Sequence, residues 1–113
     1  MNNEMKIYTQ KDLYENEINT DAYEVNLAEG TFTGILALKA WTSKARSSSH
    51  GRAIRAFVDL YDGRKIIALV QPFRSEQIAT ISAAKIGSVL TLKFETSSSG
   101  MVFLSELTVC EVE

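Results

Sequence analysis

Lys39 and Trp41 stand two residues apart, and Arg55, Phe57 and Tyr61 repeat the same mixture of cation and ring at the same spacing. Side chains two apart on an extended chain point the same way, so each set is expected on one face of a strand. Rings so placed stack on nucleobases for about 1–3 kcal/mol per base, while lysine and arginine neutralise the phosphates between them. More cations flank the sets: Lys44, Arg46 and Arg52 in the Ser-rich segment from Thr42 to Arg52, and Arg64 and Lys65 after Asp62-Gly63. The small residues of the first segment suit a loop that clamps a backbone, with His50 as a further member. These residues form the candidate binding set.

Other chemistries find little support. One His50 and one Cys110 make neither a Cys/His metal set nor an internal disulfide. There is no G-x-S-x-G elbow and no dense carboxylate cluster, and Ser47, Ser48 and Ser49 beside His50 lie in a segment too flexible to hold a nucleophile against a base. The reading is a binding protein rather than an enzyme, with no cofactor and no metal.

The elements that position the candidate set are strands. From Ala53 to Tyr61 the apolar residues alternate, Asp62-Gly63 supplies a turn, and Arg64 to Gln71 returns as the second arm of a hairpin. Two registers fit: a two-residue turn pairs Phe57 with Ala68, and a three-residue loop with a Gly63 bulge pairs Phe57 with Ile67 and Asp59 with Lys65. Pro72 ends that arm. Ser75 to Ile86 then carries Ile78, Ile81 and Ile86 at near-helical spacing, with Ser75 as N-cap and Gly87 as C-cap. Strands over Thr31–Trp41, Val89–Phe94 and Met101–Val112 complete a set of five, the last with a bulge at Ser105-Glu106.

Alternation puts Leu36, Leu38 and Ala40 inside the first strand and Lys39 and Trp41 outside it. In the second strand Ile54, Ala56, Val58 and Leu60 face inward, leaving Arg55, Phe57, Asp59 and Tyr61 outward. Two places stand open for Trp41: under a base, or buried beneath the N-terminal segment. The face of Phe103 is unassigned. Phe32 and Phe94 read as core.

At 113 residues, 45% hydrophobic and 23% charged, the chain suits one folded domain. No apolar run reaches the roughly 18 residues of a membrane span, and the first residues lack a signal-peptide core. A cytoplasmic protein without a membrane partner is expected. The net charge of −2 conceals a division. Residues 1–29 hold seven carboxylates against two lysines, whereas ten basic residues face three acidic ones between Lys39 and Lys93. The first part, residues 1–30, reads as an acidic segment that docks on the rest or on a second subunit, with a short strand at Lys6–Tyr8 and a helix over Lys11–Ile18 capped by Thr9. Residues 31–113 read as the basic domain.

The strand order with one helix between the third and fourth strands resembles the OB-fold, an all-β five-stranded Greek-key barrel with one short helix. With Lys39, Trp41, Arg55, Phe57 and Tyr61, residues 31–112 look like small single-stranded-DNA-binding proteins, including compact phage types. The resemblance implies sequence-independent coating of single strands in replication or recombination, a homo-oligomer, and replication or recombination proteins as partners. One departure is the end at Cys110-Glu-Val-Glu113, without the long acidic tail through which many such proteins recruit partners. The competing readings are an OB-type protein-interaction module and an RNA-binding OB domain.

Overall fold

The computed structural model describes residues 6–42 and 52–110. Its elements are α1 (Gln10–Glu15), β1 (Glu24–Val25), β2 (Gly30–Trp41), β3 (Ile54–Leu60), β4 (Lys65–Val70), α2 (Ser75–Ala83), β5 (Val89–Thr96) and β6 (Val102–Cys110). The strands form one open sheet in the order β1-β4-β3-β2-β5-β6, antiparallel except where β1 pairs with β4. The fold is therefore mostly β, with six strands and two short helices. Five strands and α2 lie where the sequence placed them; in the acidic N-terminal segment the helix expected over Lys11–Ile18 is the shorter α1, the expected strand at Lys6–Tyr8 is only a bridge at Tyr8, and β1 is unforeseen. Thr9 caps α1 through a reciprocal pair of hydrogen bonds with Asp12, 3.1 and 3.0 Å long. Tyr8 forms an isolated parallel bridge to Ala40.

The inward residues of β3 and β4, among them Ile54, Ala56, Val58, Ile66, Ala68 and Val70, meet Leu36 of β2, Leu90, Leu92 and Phe94 of β5, Leu104 of β6 and Ile81 of α2 in the main core. β6 comes back toward β4, and α2 packs on both strands. The β3–β4 hairpin adopts the second register, Asp59 opposite Lys65 and Phe57 opposite Ile67, with Gly63 at φ +97°. Left-handed backbone of that kind is open to glycine at no steric cost.

β2 bends between two partners, and Gly34 sits at the crossing, opposite Leu60 on one side and Leu90 on the other. A Cβ there would lie 2.5 Å from the Asp59 carbonyl oxygen and 2.8 Å from the Leu60 Cα. Just beyond, Leu36 pairs with Val58 but Leu38 pairs with Phe57, so Ala37 is an extra residue. A one-residue slip turns every following side chain to the opposite face. Lys39 and Trp41 thereby point to the side of the main core, while Leu38 and Ala40 join Phe57 on the other side. The expected facing of this strand is reversed from Leu38 onward.

Lys39 is fully buried, and its ammonium donates to the carbonyl oxygens of Ile81 at 3.1 Å, Ser82 at 3.1 Å and Ala84 at 2.6 Å. These belong to the end of α2, where the Ala84 N–H also donates to the Ile81 carbonyl at 3.2 Å and the later carbonyls lack intrahelical donors. The expected caps are replaced. Ser75 is the first helical residue, Arg74 holds the N-cap position without a side-chain bond, and the helix ends at Ala83. Gly87 at φ +96° serves instead in the turn into β5, donating its N–H to the Leu36 carbonyl at 2.8 Å. In β6 the expected bulge is present: Phe94 pairs with Leu104 and Lys93 with Glu106, and the intervening Ser105 donates its hydroxyl to the Lys93 carbonyl at 3.1 Å.

Two substitutions test this account by urea denaturation. Gly34→Ala forces a methyl against two backbones and is expected to cost about 1–3 kcal/mol. Lys39→Met keeps the stem but takes the ammonium from the Ser82 and Ala84 carbonyls and leaves the Ile81 carbonyl only its Ala84 donor, and the expected loss is about 3 kcal/mol. A loss under 0.5 kcal/mol at Lys39 contradicts its role as the clamp of α2.

Candidate functional site

The outer face of β3 carries Arg55, Phe57 and Asp59 as alternation requires, with Tyr61 in the turn that follows, but most of it is covered. Residues 8–23 lie over it. Leu13 of α1 is buried with Ala40 and Phe57, and Tyr8, Ile18, Tyr23, Leu38 and Ile67 close around them. Phe57 is fully buried, with the Tyr23 ring edge-on at 5.3 Å. Arg55 lies over the Phe57 ring at 5.6 Å and donates to Gln10 Oε1 at 3.1 Å and to the Trp41 carbonyl at 3.3 Å.

Asp59 ties this cover down. The Tyr23 hydroxyl donates to its carboxylate at 2.7 Å, and the Lys65 ammonium reaches the same oxygen at 3.0 Å while lying 5.3 Å from the centre of the Tyr23 ring. Partial burial works against the Asp59 charge, but the hydrogen bonds from Tyr23 and Lys65 outweigh it and hold the carboxyl below its ordinary 3.8. Burial first, and then the neighbouring carboxylate, pushes the Tyr23 hydroxyl up to about 12.

The ten candidates of the sequence reading are thus dispersed. Lys39 and Phe57 are buried, the first turned inward by the Ala37 bulge and the second roofed by α1 and Tyr23. Trp41 is half-buried against the main core and donates its N–H to the Tyr8 carbonyl at 2.8 Å. Arg64 is ion-paired with Asp62 at 2.9 Å and lies over Phe32, and Lys65 is paired with Asp59. Arg52 and Tyr61 are exposed. Lys44, Arg46 and His50 lie outside the described residues.

A different surface is open. Between β4 and the β5–β6 hairpin runs a cleft of about 820 Å³ bounded by Leu27, Leu69, Phe73, Arg74, Met101 and Phe103. Leu27 is 80% exposed, Met101 70% and Phe73 58%, so large apolar groups face solvent together. Isolated exposed apolar residues are ordinary, whereas a contiguous set marks an interaction surface. The Arg74 guanidinium stands 5.5 Å from the Phe73 ring centre and 5.0 Å from that of Phe103, and its buried Nε has no hydrogen-bond partner among the described residues. β1 pairs with β4 only at Ile66 and Ile67, and Leu69, beyond that pairing, lines this cleft. The sequence signals were Phe73-Arg74 after Pro72 and Met101 beside Phe103. They sit in turns and at a strand end, where alternation carries no information.

Among the described residues no group of three or more His, Cys, Asp or Glu stands together to hold a metal ion, and no helix is long and apolar enough to cross a membrane. Tyr23→Phe is expected to cost about 1 kcal/mol near neutral pH. Asp59 has a depressed folded value, so the stability it adds is present above 3.8 and lost as the pH falls through the lower folded value. Tyr23 has a raised one, so its share persists below 10.0 and is lost as the pH rises through about 12. The gap in melting temperature between wild type and Tyr23→Phe should therefore be flat between those limits and shrink outside them; a gap that ignores acid denies the bond. No protein-family model, no curated protein and no solved structure matches this chain.

Proposed function

We propose that the chain is an OB-type module that binds single-stranded nucleic acid, DNA in the first instance, with the open cleft as its base-binding groove. The supporting order is that of β2 to β6, in which α2 falls between the third and fourth of these five strands and the outer strands β4 and β6 approach each other. In OB proteins oligonucleotides lie on the second and third strands, bounded by the loops after the first and fourth. Here those positions are β3, β4, the segment between β2 and β3, and the turn between β5 and β6. The cleft lies beside β4 and that turn.

The observation that carries the reading is the Phe73, Arg74 and Phe103 arrangement, two rings with a guanidinium over both at the mouth of an apolar cleft. Bases stack on such rings without regard to sequence, and the cation meets the phosphates. Arg52 is an exposed cation just before β3, and Lys44 and Arg46 fall in the segment between β2 and β3 outside the described residues.

A second reading, a polypeptide partner, is favoured by one feature: the cleft is largely apolar, with one arginine at its wall and a β4 edge that, among the described residues, β1 pairs only at Ile66 and Ile67, so that an extended chain can add beyond them. Salt separates the two, because counterion release makes a nucleic-acid complex weaken steeply with ionic strength. Titration with fluorescent oligo-dT is expected to show salt-sensitive binding. Phe103→Ala should weaken it about tenfold with the salt slope unchanged, and Arg74→Gln should lower the slope by about one. No binding at low salt removes this reading and leaves the polypeptide one.

A further inference from the structure

The N-terminal strap, residues 8–26, lies across β2 and β3 and is attached unevenly. At its first end Tyr8 exchanges two backbone hydrogen bonds with β2, its N–H donating to the Lys39 carbonyl at 2.9 Å and its carbonyl accepting from Trp41 at 2.8 Å. Leu13 then plugs into Ala40 and Phe57. At the other end β1 contributes two residues opposite Ile66 and Ile67, and the Asn26 N–H reaches the Ile67 carbonyl at 3.3 Å. Val25 and Leu27 beside it are 59% and 80% exposed and bury little. Tyr23 is the main fastening of this end, through Asp59 and the edge of Phe57.

The weak end is also a wall of the cleft, to which it contributes Val25, Asn26 and Leu27. Ile67 already lines the cleft beside this wall, and beyond it lie Phe57 and the Asp59–Lys65 pair. If β1 lifts, the cleft continues from Leu69 over Ile67 onto the Phe57 ring, and the edge of β4 is free along its length. Tyr23 packs edge-on against the Phe57 ring, where an entering base would have to displace it, and its ring lies 5.3 Å from the Lys65 ammonium. Asp21 and Glu24 flank Tyr23 as exposed carboxylates, which a polyanion entering the cleft would repel.

We propose that the β1 end of the strap is a displaceable competitor: a single strand entering the cleft peels residues 23–26 from β4 and occupies the Phe57 and Lys65 surface beneath, while the Tyr8 and Leu13 end stays attached. This rests on the nucleic-acid reading of the cleft. The closed form lowers apparent affinity by the fraction of molecules that are open, so loosening the strap tightens binding.

The test compares wild type and Tyr23→Ala in oligo-dT titrations and follows backbone amide exchange with and without the oligonucleotide. Tyr23→Phe, which keeps the ring, is the conservative second variant. Expected are about fivefold tighter binding by Tyr23→Ala, a smaller gain for Tyr23→Phe, and on binding a loss of protection at the Asn26 amide but not at the Trp41 amide. Protection retained at Asn26 in the bound protein, or binding unchanged or weakened in both variants, overturns the competitor proposal and leaves the cleft reading standing. Absence of oligo-dT binding by wild type and both variants overturns the cleft reading, and the competitor with it.

Discussion

The ammonium of Lys39, enclosed by the carbonyls of Ile81, Ser82 and Ala84, fixes more of this molecule than any other contact. Burial disfavours the charge and pulls its pKa down from the ordinary lysine value. Three carbonyls at the negative end of a helix answer that cost, and the ammonium in turn supplies donors that the end of the helix lacks and complements its dipole. Lys39 can reach them because the Ala37 bulge has turned it inward. The same bulge lies beside Leu36, which exchanges backbone hydrogen bonds with Gly87 and Ser88 at 2.8 and 2.9 Å. The bend of β2, the end of α2 and the entry to β5 are therefore set together.

That geometry also determines what covers the sheet. With Lys39 and Trp41 taken inward, the last part of β2 shows Leu38 and Ala40 on its outer side, next to Phe57 and Ile67 of the hairpin. An apolar patch of that kind does not stay bare in water. Leu13, Tyr8, Ile18 and Tyr23 are the residues that close it, so the strap follows from the bulge rather than being an independent addition. Its helix is only six residues long, too short to persist unaided, and it depends on the Thr9–Asp12 cap and on Leu13 in its pocket.

Regular alternation was enough to locate the five long strands, the helix after Pro72 and the inward set Ile54, Ala56, Val58 and Leu60. It even marked the bulge at Ser105, because the apolar phase changes there between Leu104 and Leu107. It failed at Ala37, where the residues on both sides are apolar and a slip leaves no trace in the pattern. The error then propagated to Lys39 and Trp41, which changed faces. For Phe57 the facing was legible but the roof was not, since what lies over a strand is decided by residues more than thirty positions away. Nor was the cleft legible: Leu27, Phe73 and Met101 lie outside the strands and helices, and the pairing of β1 on β4 together with the approach of β6 to β4 brings them to one cleft.

The charge division along the chain takes on a different meaning once the contacts are known. An acidic segment on a basic domain suggests an electrostatic latch, yet the described ion pairs are Lys11 with Glu15, Arg64 with Asp62 and Lys65 with Asp59, none of which joins the strap to the sheet. What joins them is apolar contact at Leu13 and Phe57, backbone pairing at Tyr8 and β1, and the hydrogen bonds of Tyr23 and Gln10. Added salt leaves contacts of this kind largely intact while it screens exposed charges over about 10 Å at 0.1 M. A salt dependence of ligand binding therefore reports the charges that meet the ligand's phosphates, the strap's exposed Asp21 and Glu24 among them, and not the breaking of the contacts that hold the strap. The two contributions are separable because the strap is held mainly by apolar and hydrogen-bonded contacts, and the charge it carries faces outward.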